Sequence, residues 1–262
     1  MGIKLKNALS ALSPSSGTKI GSVVFVGSGG PFDVAEGNTS LLLTFGKKRI
    51  LVDCGPSVYA SLRQMGMMDI DIVVITSTAE ACMGSLGTLM THLHYDRVAK
   101  GNNDPLEVLC ADNIADDVRE YLKRCGLGQV VVSVTSSSAS IDIKLFPNGP
   151  ADSLFTLNRD GMTIIYSGKV VDPVFDIMDQ AVIDALRRDP SNVVVFHEAS
   201  FTERSGCHYE RLSQWSEEFK NFFIFGHSKE EGAAMIFNQR YMRSMATNDK
   251  NNEFNIEKQT TI

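Results

Sequence analysis

A chain of 262 residues, 43% of them hydrophobic, is long enough to bury one large core or two small ones. Charged residues make up 21%, which suits an ordinary water-facing globular protein. The net charge of −6 gives an overall field that does not draw in a polyanion, so any nucleic acid would need a local basic patch. In chain order, residues 1–20 read as an N-terminal arm. SVVFVG is then a short apolar strand, closed by the turn SGGPFD, and SLLLTF and KRILVDCG are two more strands separated by GKK. Their apolar runs are nearly continuous, as expected of strands covered on both faces. VYASLRQMG is a helix between Pro56 and Gly66. IDIVVIT is a buried strand leading through TAEACMG into the helix GSLGTLMTHLHYDRVAK. LEVLC is a strand and NIADDVREYLKRCG a helix stopped at Gly126. VVVSVTSSS and SIDIKLF are strands around a serine-rich turn. LFTLNRDGMTIIYSG is a hairpin turned at Asp160-Gly161. Then follow the helix DIMDQAVIDALRRDP, the strand NVVVFHEA, the helix HYERLSQWSEEF, the strand NFFIFGHS and a last helix, KEEGAAMIFNQRYMRSM. Residues 248–262 are polar and without period, and read as a flexible C-terminal tail.

No linker or repeat divides residues 21–247, which are expected to form a single domain. Strands, αβ units, strands and αβ units again fit an α/β chain folded as a four-layer αββα sandwich, two sheets face to face with helices outside. Five cysteines (Cys54, Cys82, Cys110, Cys125, Cys207) lack CxxC spacing. No run of about 20 apolar residues and no secretory leader is visible. Free thiols in the cytoplasm and no membrane association are the expectation.

Several segments, in order, resemble the ribonuclease Z and cyclic-nucleotide phosphodiesterase branch of the metallo-β-lactamase superfamily. They are FVGSGG, GNTSLLL, KKRILVDCG, DIDIVVIT, YSG (166–168), FHEASF (196–201), FGHS (225–228) and NQRY (238–241), together spanning about residues 22–245. The resemblance implies the metallo-β-lactamase fold and metal-assisted phosphodiester hydrolysis, in which two divalent ions activate a water and stabilise the phosphate's charge. It also implies a ligand set that this chain has largely lost. The family's HxHxDH positions fall on Ser77, Ala79, Ala81 and Cys82. The next histidine position falls on Asn148, the bridging aspartate on Lys169, and only the last position keeps its ligand, as His227. His208, in GCHYE, matches the histidine that acts as a proton donor in ribonuclease Z, and is a vestigial acid–base residue if it acts at all.

The segment THLHYDR places His92, His94 and Asp96 at the metal-motif spacing, but it reads as helix, where residues two apart point about 200° apart and cannot share a metal. His197, His208 and His227 are either packed structural remnants or, for the last two, donors to an anion together with Lys169, Asn148 and Ser77. A rearranged metal site drawing on His208, His227, Cys207 or Glu198 is the third possibility. The loop Gly27–Gly30 is either a tight turn or a cradle of backbone N–H groups for a phosphate.

The leading expectation is therefore a catalytically degenerate protein, a pseudoenzyme that binds a nucleotide or cyclic nucleotide, or a protein partner, with no cofactor. One alternative is an active phosphodiesterase with zinc or manganese in a non-standard site. Another is a purely structural or inhibitory interaction protein. By analogy, the partner is a second copy of the chain or an active paralogue. Extended nucleic acid is not expected, because between Val130 and Tyr166 there is no room for a tRNA-gripping arm.

Overall fold

The apolar runs of the first half pair into a sheet buried on both faces. A computed structural model describes residues 20–45, 47–128, 131–159, 161–200, 207–219, 221–226, 242–244 and 253–254. Strands β1 (Ile20–Gly27), β2 (Ser40–Phe45) and β3 (Lys48–Val52) form an antiparallel meander, with Val24 and Leu51 both opposite Leu42. Helix α1 (Val58–Met65) stops at Gly66, whose φ of 68° is the left-handed cap that glycine adopts without strain. Then come β4 (Ile72–Ile75), the short α2 (Glu80–Met83), α3 (Leu86–Ala99), β5 (Leu106–Cys110), α4 (Asp112–Arg124) and β6 (Val132–Thr135). From β3 to β6 every neighbouring pair is parallel, because the helices carry the chain back each time.

The second half repeats the scheme. Strands β7 (Asp142–Asn148), β8 (Asp152–Arg159) and β9 (Met162–Tyr166) are antiparallel. They are followed by α5 (Val174–Ile177), α6 (Gln180–Arg187), β10 (Val193–Glu198), α7 (Ser213–Glu218), β11 (Asn221–Phe225), β12 (Met242–Ser244) and β13 (Glu253–Phe254). One sheet has the order β13-β1-β2-β3-β4-β5-β6 and the other β12-β11-β10-β9-β8-β7.

Three apolar layers fill the spaces between four structural layers. Leu51, Val73, Leu86 and Val118 pack helices on the first sheet, and Ile165, Val174, Leu212 and Phe222 pack helices on the second. Between the sheets lie Phe25, Ile50, Phe155, Phe196 and Phe223, with Phe196 contacting Phe25 edge-on and stacked on Phe223. Burying one such side chain contributes about 1.5–3 kcal/mol. This is the expected αββα sandwich.

Three local expectations change. The serine-rich segment 136–140 is not a hairpin turn: β6 and β7 lie at the edges of different sheets, and the chain crosses between them there. The end of the expected last helix is a strand, with Met242–Ser244 pairing parallel to β11. The rest of that helix lies outside the described residues. Glu253 and Phe254, from the polar C-terminal stretch, pair with Val24 and Val23 on the edge of β1. Among the described residues no helix is long and apolar enough to cross a membrane. All five cysteines are free thiols, with Cys125 alone among them exposed.

Candidate functional site

The parallel strands of both sheets end at the same edge of the sandwich, so the residues that follow β3, β4, β9, β10 and β11 meet in one cleft. After β3, Asp53 takes a φ of 58°, a left-handed turn that aspartate tolerates better than most residues. The turn aims its carboxylate at the end of β4. The Thr76 N–H donates to Oδ1 (2.8 Å), the Thr76 hydroxyl donates to Oδ2 (2.8 Å), and the Tyr166 hydroxyl donates to Oδ2 (3.2 Å). Asp53 thus ties β3 and β4 of one sheet to β9 of the other.

A second polar stitch closes the same edge. The Ser153 N–H and hydroxyl both donate to the Thr76 carbonyl, at 2.7 and 3.1 Å. Ser77 and Asp152 form an isolated antiparallel bridge beside it. The Asn113 side-chain amide donates to the carbonyls of Gly149 (2.8 Å) and Asp152 (2.9 Å), which fixes the β7–β8 turn. After β9, Gly168 has a φ of 60° and sits against the Ser153 carbonyl and the Thr76 side chain, so any Cβ there would collide. Ser167 accepts the Glu198 N–H (2.9 Å), which sets Lys169 and Glu198 on one rim.

The cleft narrows to a small cavity whose closed part has room for about one water molecule, below the size of a ligand site. Asp53, Cys82, Tyr166, Lys169 and Glu198 supply its titratable lining, Asn38 and Thr39 are its other polar side chains, and Pro31 and Phe225 are among its apolar walls. Burial pushes the Asp53 carboxyl up to about 6, against the lowering effect of the Thr76 and Tyr166 hydrogen bonds. Burial likewise lifts Glu198 to about 7, opposed by the Lys169 ammonium and assisted by the carboxylates of Asp53 and Asp152. The Cys82 thiol is held well above its ordinary value by burial and by Asp53, so it stays protonated.

Of the residues expected to bind a ligand, Lys169 lines this cavity and three others do not. Ser77 is buried, and its hydroxyl accepts the Ala79 N–H (3.1 Å). Asn148 ends β7 opposite Asp152. His208 lies beyond β10, where its backbone bridges Ser200 and its ring nitrogen is 3.8 Å from Glu210. His227 lies outside the described residues. His197 is fully buried and structural: its Nε2 accepts the Val174 N–H (3.0 Å) while Nδ1 faces the Glu198 carbonyl (2.7 Å). That pairing requires a neutral ring with its proton on Nδ1, and burial lowers its pKa to about 4. His92, His94 and Asp96 all lie on α3, where His92 contacts Asp96 (3.4 Å) and the Tyr59 hydroxyl (3.3 Å). The N–H groups of Ser28 and Gly29 are taken by the carbonyls of Glu36 and Gly37, so this stretch closes a turn and offers neither of those amides to a phosphate.

Sequence reasoning singled out neither Asp53 nor Tyr166, and weighed Glu198 only as a metal ligand. The signal was present in each case: a polar group set at the end of an almost wholly apolar run, where burial is costly without a partner.

Two sheets face to face between helices, with a cleft at the strand ends, define a metallo-β-lactamase-fold protein. The YhfI protein of Bacillus subtilis, of that fold, superposes with a TM-score of 0.63 at 12% identity, covering 85% of this chain and 95% of the other. A diphosphatase of the PhnP family superposes at 0.64 and 12% identity, covering 86% and 94%. Residues 22–249 match the family described as "Anti-Pycsar protein Apyc1", and the chain belongs to that family. Ribonuclease Z of Clostridium acetobutylicum is 30% identical over 101 residues, which is 37% of this chain and only 31% of that protein.

The fold implies a metal centre, and the described residues do not fit one. Ala79 and Ala81 carry no donor, the Ser77 oxygen is turned to its own loop, and Lys169 brings an ammonium into the cavity. Among the described residues no three His, Cys, Asp or Glu side chains converge to hold a metal ion.

Proposed function

We propose that this chain is a catalytically degenerate phosphodiesterase that acts by binding, with a nucleotide-type ligand in the cleft. One observation carries the reading: Lys169, at the position where the family places a metal-bridging carboxylate, lines the same cavity as Glu198 and Asp53. An ammonium there opposes a divalent cation and attracts a phosphate. The nucleotide character of the ligand is supported by family membership and by the kinship to ribonuclease Z. The chain acts as a homodimer or beside an active paralogue, and light scattering of the purified protein reads the first directly.

The testing experiment is metal analysis of the purified chain together with thermal shift against cyclic nucleotides, zinc and manganese. The expected result is sub-stoichiometric metal and a shift with a nucleotide, since a ligand that binds the native state stabilises it by mass action. Stoichiometric zinc or manganese, with phosphodiesterase activity lost on its removal, would overturn the proposal. That outcome would favour the second reading, an active phosphodiesterase with a non-standard site. Its support is the electrostatic reach of Asp53 and Asp152 to Glu198, an acidic set that a cation would neutralise.

A further inference from the structure

The second sheet carries a larger pocket at the end away from the cleft. Alternation along β7 and β8 sends Ile143, Phe155 and Leu157 into the core between the sheets, and leaves Lys144, Phe146, Thr156 and Asn158 on the outer face. The register makes these outer residues neighbours: Lys144 lies opposite Thr156, and Asn158 opposite Thr163 of β9. Helix α6 forms the other wall. It brings Ala181 and Ala185 there, one turn apart, where longer side chains would close the gap. What remains is an open-sided pocket of about 410 Å³, within the range of small-ligand sites. Thr163 and Val193 line it near the start of β9 and β10, whereas the cleft gathers the residues at and beyond the far ends of those strands.

Its strand wall is rich in unused donors. Thr156 is 4% exposed, yet its hydroxyl has no hydrogen-bond partner among the described residues. Among those residues Asn113 Oδ1 is the one fully enclosed side-chain oxygen or nitrogen without a partner, so the Thr156 oxygen is not sealed in and opens on the pocket. A hydroxyl set so deep is costly unless something bonds it. Beside it, the Lys144 ammonium lies 4.9 Å from the centre of the Phe146 ring and has no acidic partner among the described residues. Asn158 accepts the Thr163 hydroxyl through Oδ1 (2.8 Å), which leaves its amide N–H groups to donate. The acidic residue of the lining, Asp189, already accepts the Ser191 hydroxyl (2.8 Å) and the Asn192 amide (2.6 Å). The opposite wall is apolar, with Val182 beside the two alanines. A ligand that suits both walls has an anionic head and an apolar body. We infer that this pocket binds a small organic acid, its acidic head held by Lys144, Thr156 and Asn158 and its body lying between Phe146 and α6. This does not depend on what the cleft binds.

Amide NMR of the full chain, titrated with phenylbutyrate, tests the inference. Phenylbutanol supplies the body without the acid, and acetate the acid without the body. The expected result is saturable shifts in β7, β8 and α6 with phenylbutyrate, and binding weaker by roughly 10-fold or more for each control. Lys144→Met and Thr156→Val are each expected to weaken phenylbutyrate roughly 10-fold, the loss of one bond to a charged group. Ala185→Phe, on the exposed face of α6, fills the pocket without touching a donor and is expected to abolish binding. Thr156→Val should leave the melting temperature of the ligand-free chain unchanged or raised, because the hydroxyl has no partner to lose. A drop would mean that the hydroxyl is bonded within the folded chain, and would overturn the inference. Lys169→Ala should bind the probe as the wild type does, and loss of binding there would put the probe in the cleft instead. The inference also fails if the alcohol binds as tightly as the acid, if Lys144→Met and Thr156→Val keep full affinity, or if the wild type shows no saturable shift.

Discussion

Replacing Asp53 by Asn tests the central stitch of the cleft. Asp53 is 1% exposed, and its carboxyl is raised from 3.8 to about 6 because burial disfavours the ionised form. A carboxyl whose folded value exceeds its unfolded value binds its proton more tightly in the native state. Stability is therefore greatest below the ordinary value of 3.8, falls as pH rises through the interval to about 6, and levels off about one unit higher. The difference between the two values corresponds to about 3 kcal/mol that ionised Asp53 withholds from the native state at pH 8. Asparagine keeps an oxygen to accept from Thr76, can donate to the Tyr166 hydroxyl, and suits the left-handed turn. Denaturant unfolding of wild type and Asp53→Asn from pH 4 to 8.5 should give curves that converge at low pH. At pH 8 the variant should be more stable by up to about 3 kcal/mol. The difference between the curves isolates Asp53 from other titrating groups, among them His197, whose lowered value makes it lose stability as pH falls from 6.5 toward about 4. Parallel curves across the range, or a variant that is less stable at every pH, would refute the account of Asp53 as a buried, reluctantly ionised strand tie.

Three further outcomes follow from the same geometry. His197→Ala should lower unfolding stability by about 3 kcal/mol, because it opens a cavity and leaves the Val174 N–H without its acceptor. Gly168→Ala should cost about 2–4 kcal/mol and depress the melting temperature, since it combines a φ of 60° with a collision against Ser153 and Thr76. Cyclic-nucleotide affinity should weaken between pH 6 and 8 as Glu198, titrating at about 7, adds negative charge beside Lys169. Glu198→Gln should flatten that dependence, and an unchanged slope in calorimetry would count against Glu198 facing the ligand.

The fold was legible because its strands are apolar on both faces and its helices are punctuated. Gly66 and Gly126 mark helix ends that the structure places there, at φ 68° and 82°. The crossing between β6 and β7 was not legible, since a serine-rich turn between two apolar runs looks the same whether the strands pair or part. The site was half legible. Lys169 stands out against a motif, and THLHYDR is disqualified by its helical context. Asp53 and Glu198 become visible as a pair only when two sheets bring residues 145 positions apart in the chain to one cavity, which no local pattern encodes.

The residues kept at the cleft follow from what each one holds. Asp53, Thr76, Ser153 and Tyr166 bond one another across β3, β4, β8 and β9, so they are needed to close the edge of the sandwich whether or not a cation lies above them. In the loop of Ser77, Ala79 and Ala81 the chain satisfies its own groups, the Ser77 hydroxyl accepting the Ala79 N–H and the Ala79 carbonyl accepting the Cys82 N–H. Two divalent ions would bring four positive charges to this cavity, whereas Lys169 brings one. Burial raises Asp53 to about 6 and Glu198 to about 7, and the Lys169 ammonium offsets only part of the rise at Glu198. On the proposed reading, phosphate binding and protonation of Glu198 are coupled, because Glu198 and Lys169 line the same cavity and an ionised Glu198 would repel the anion.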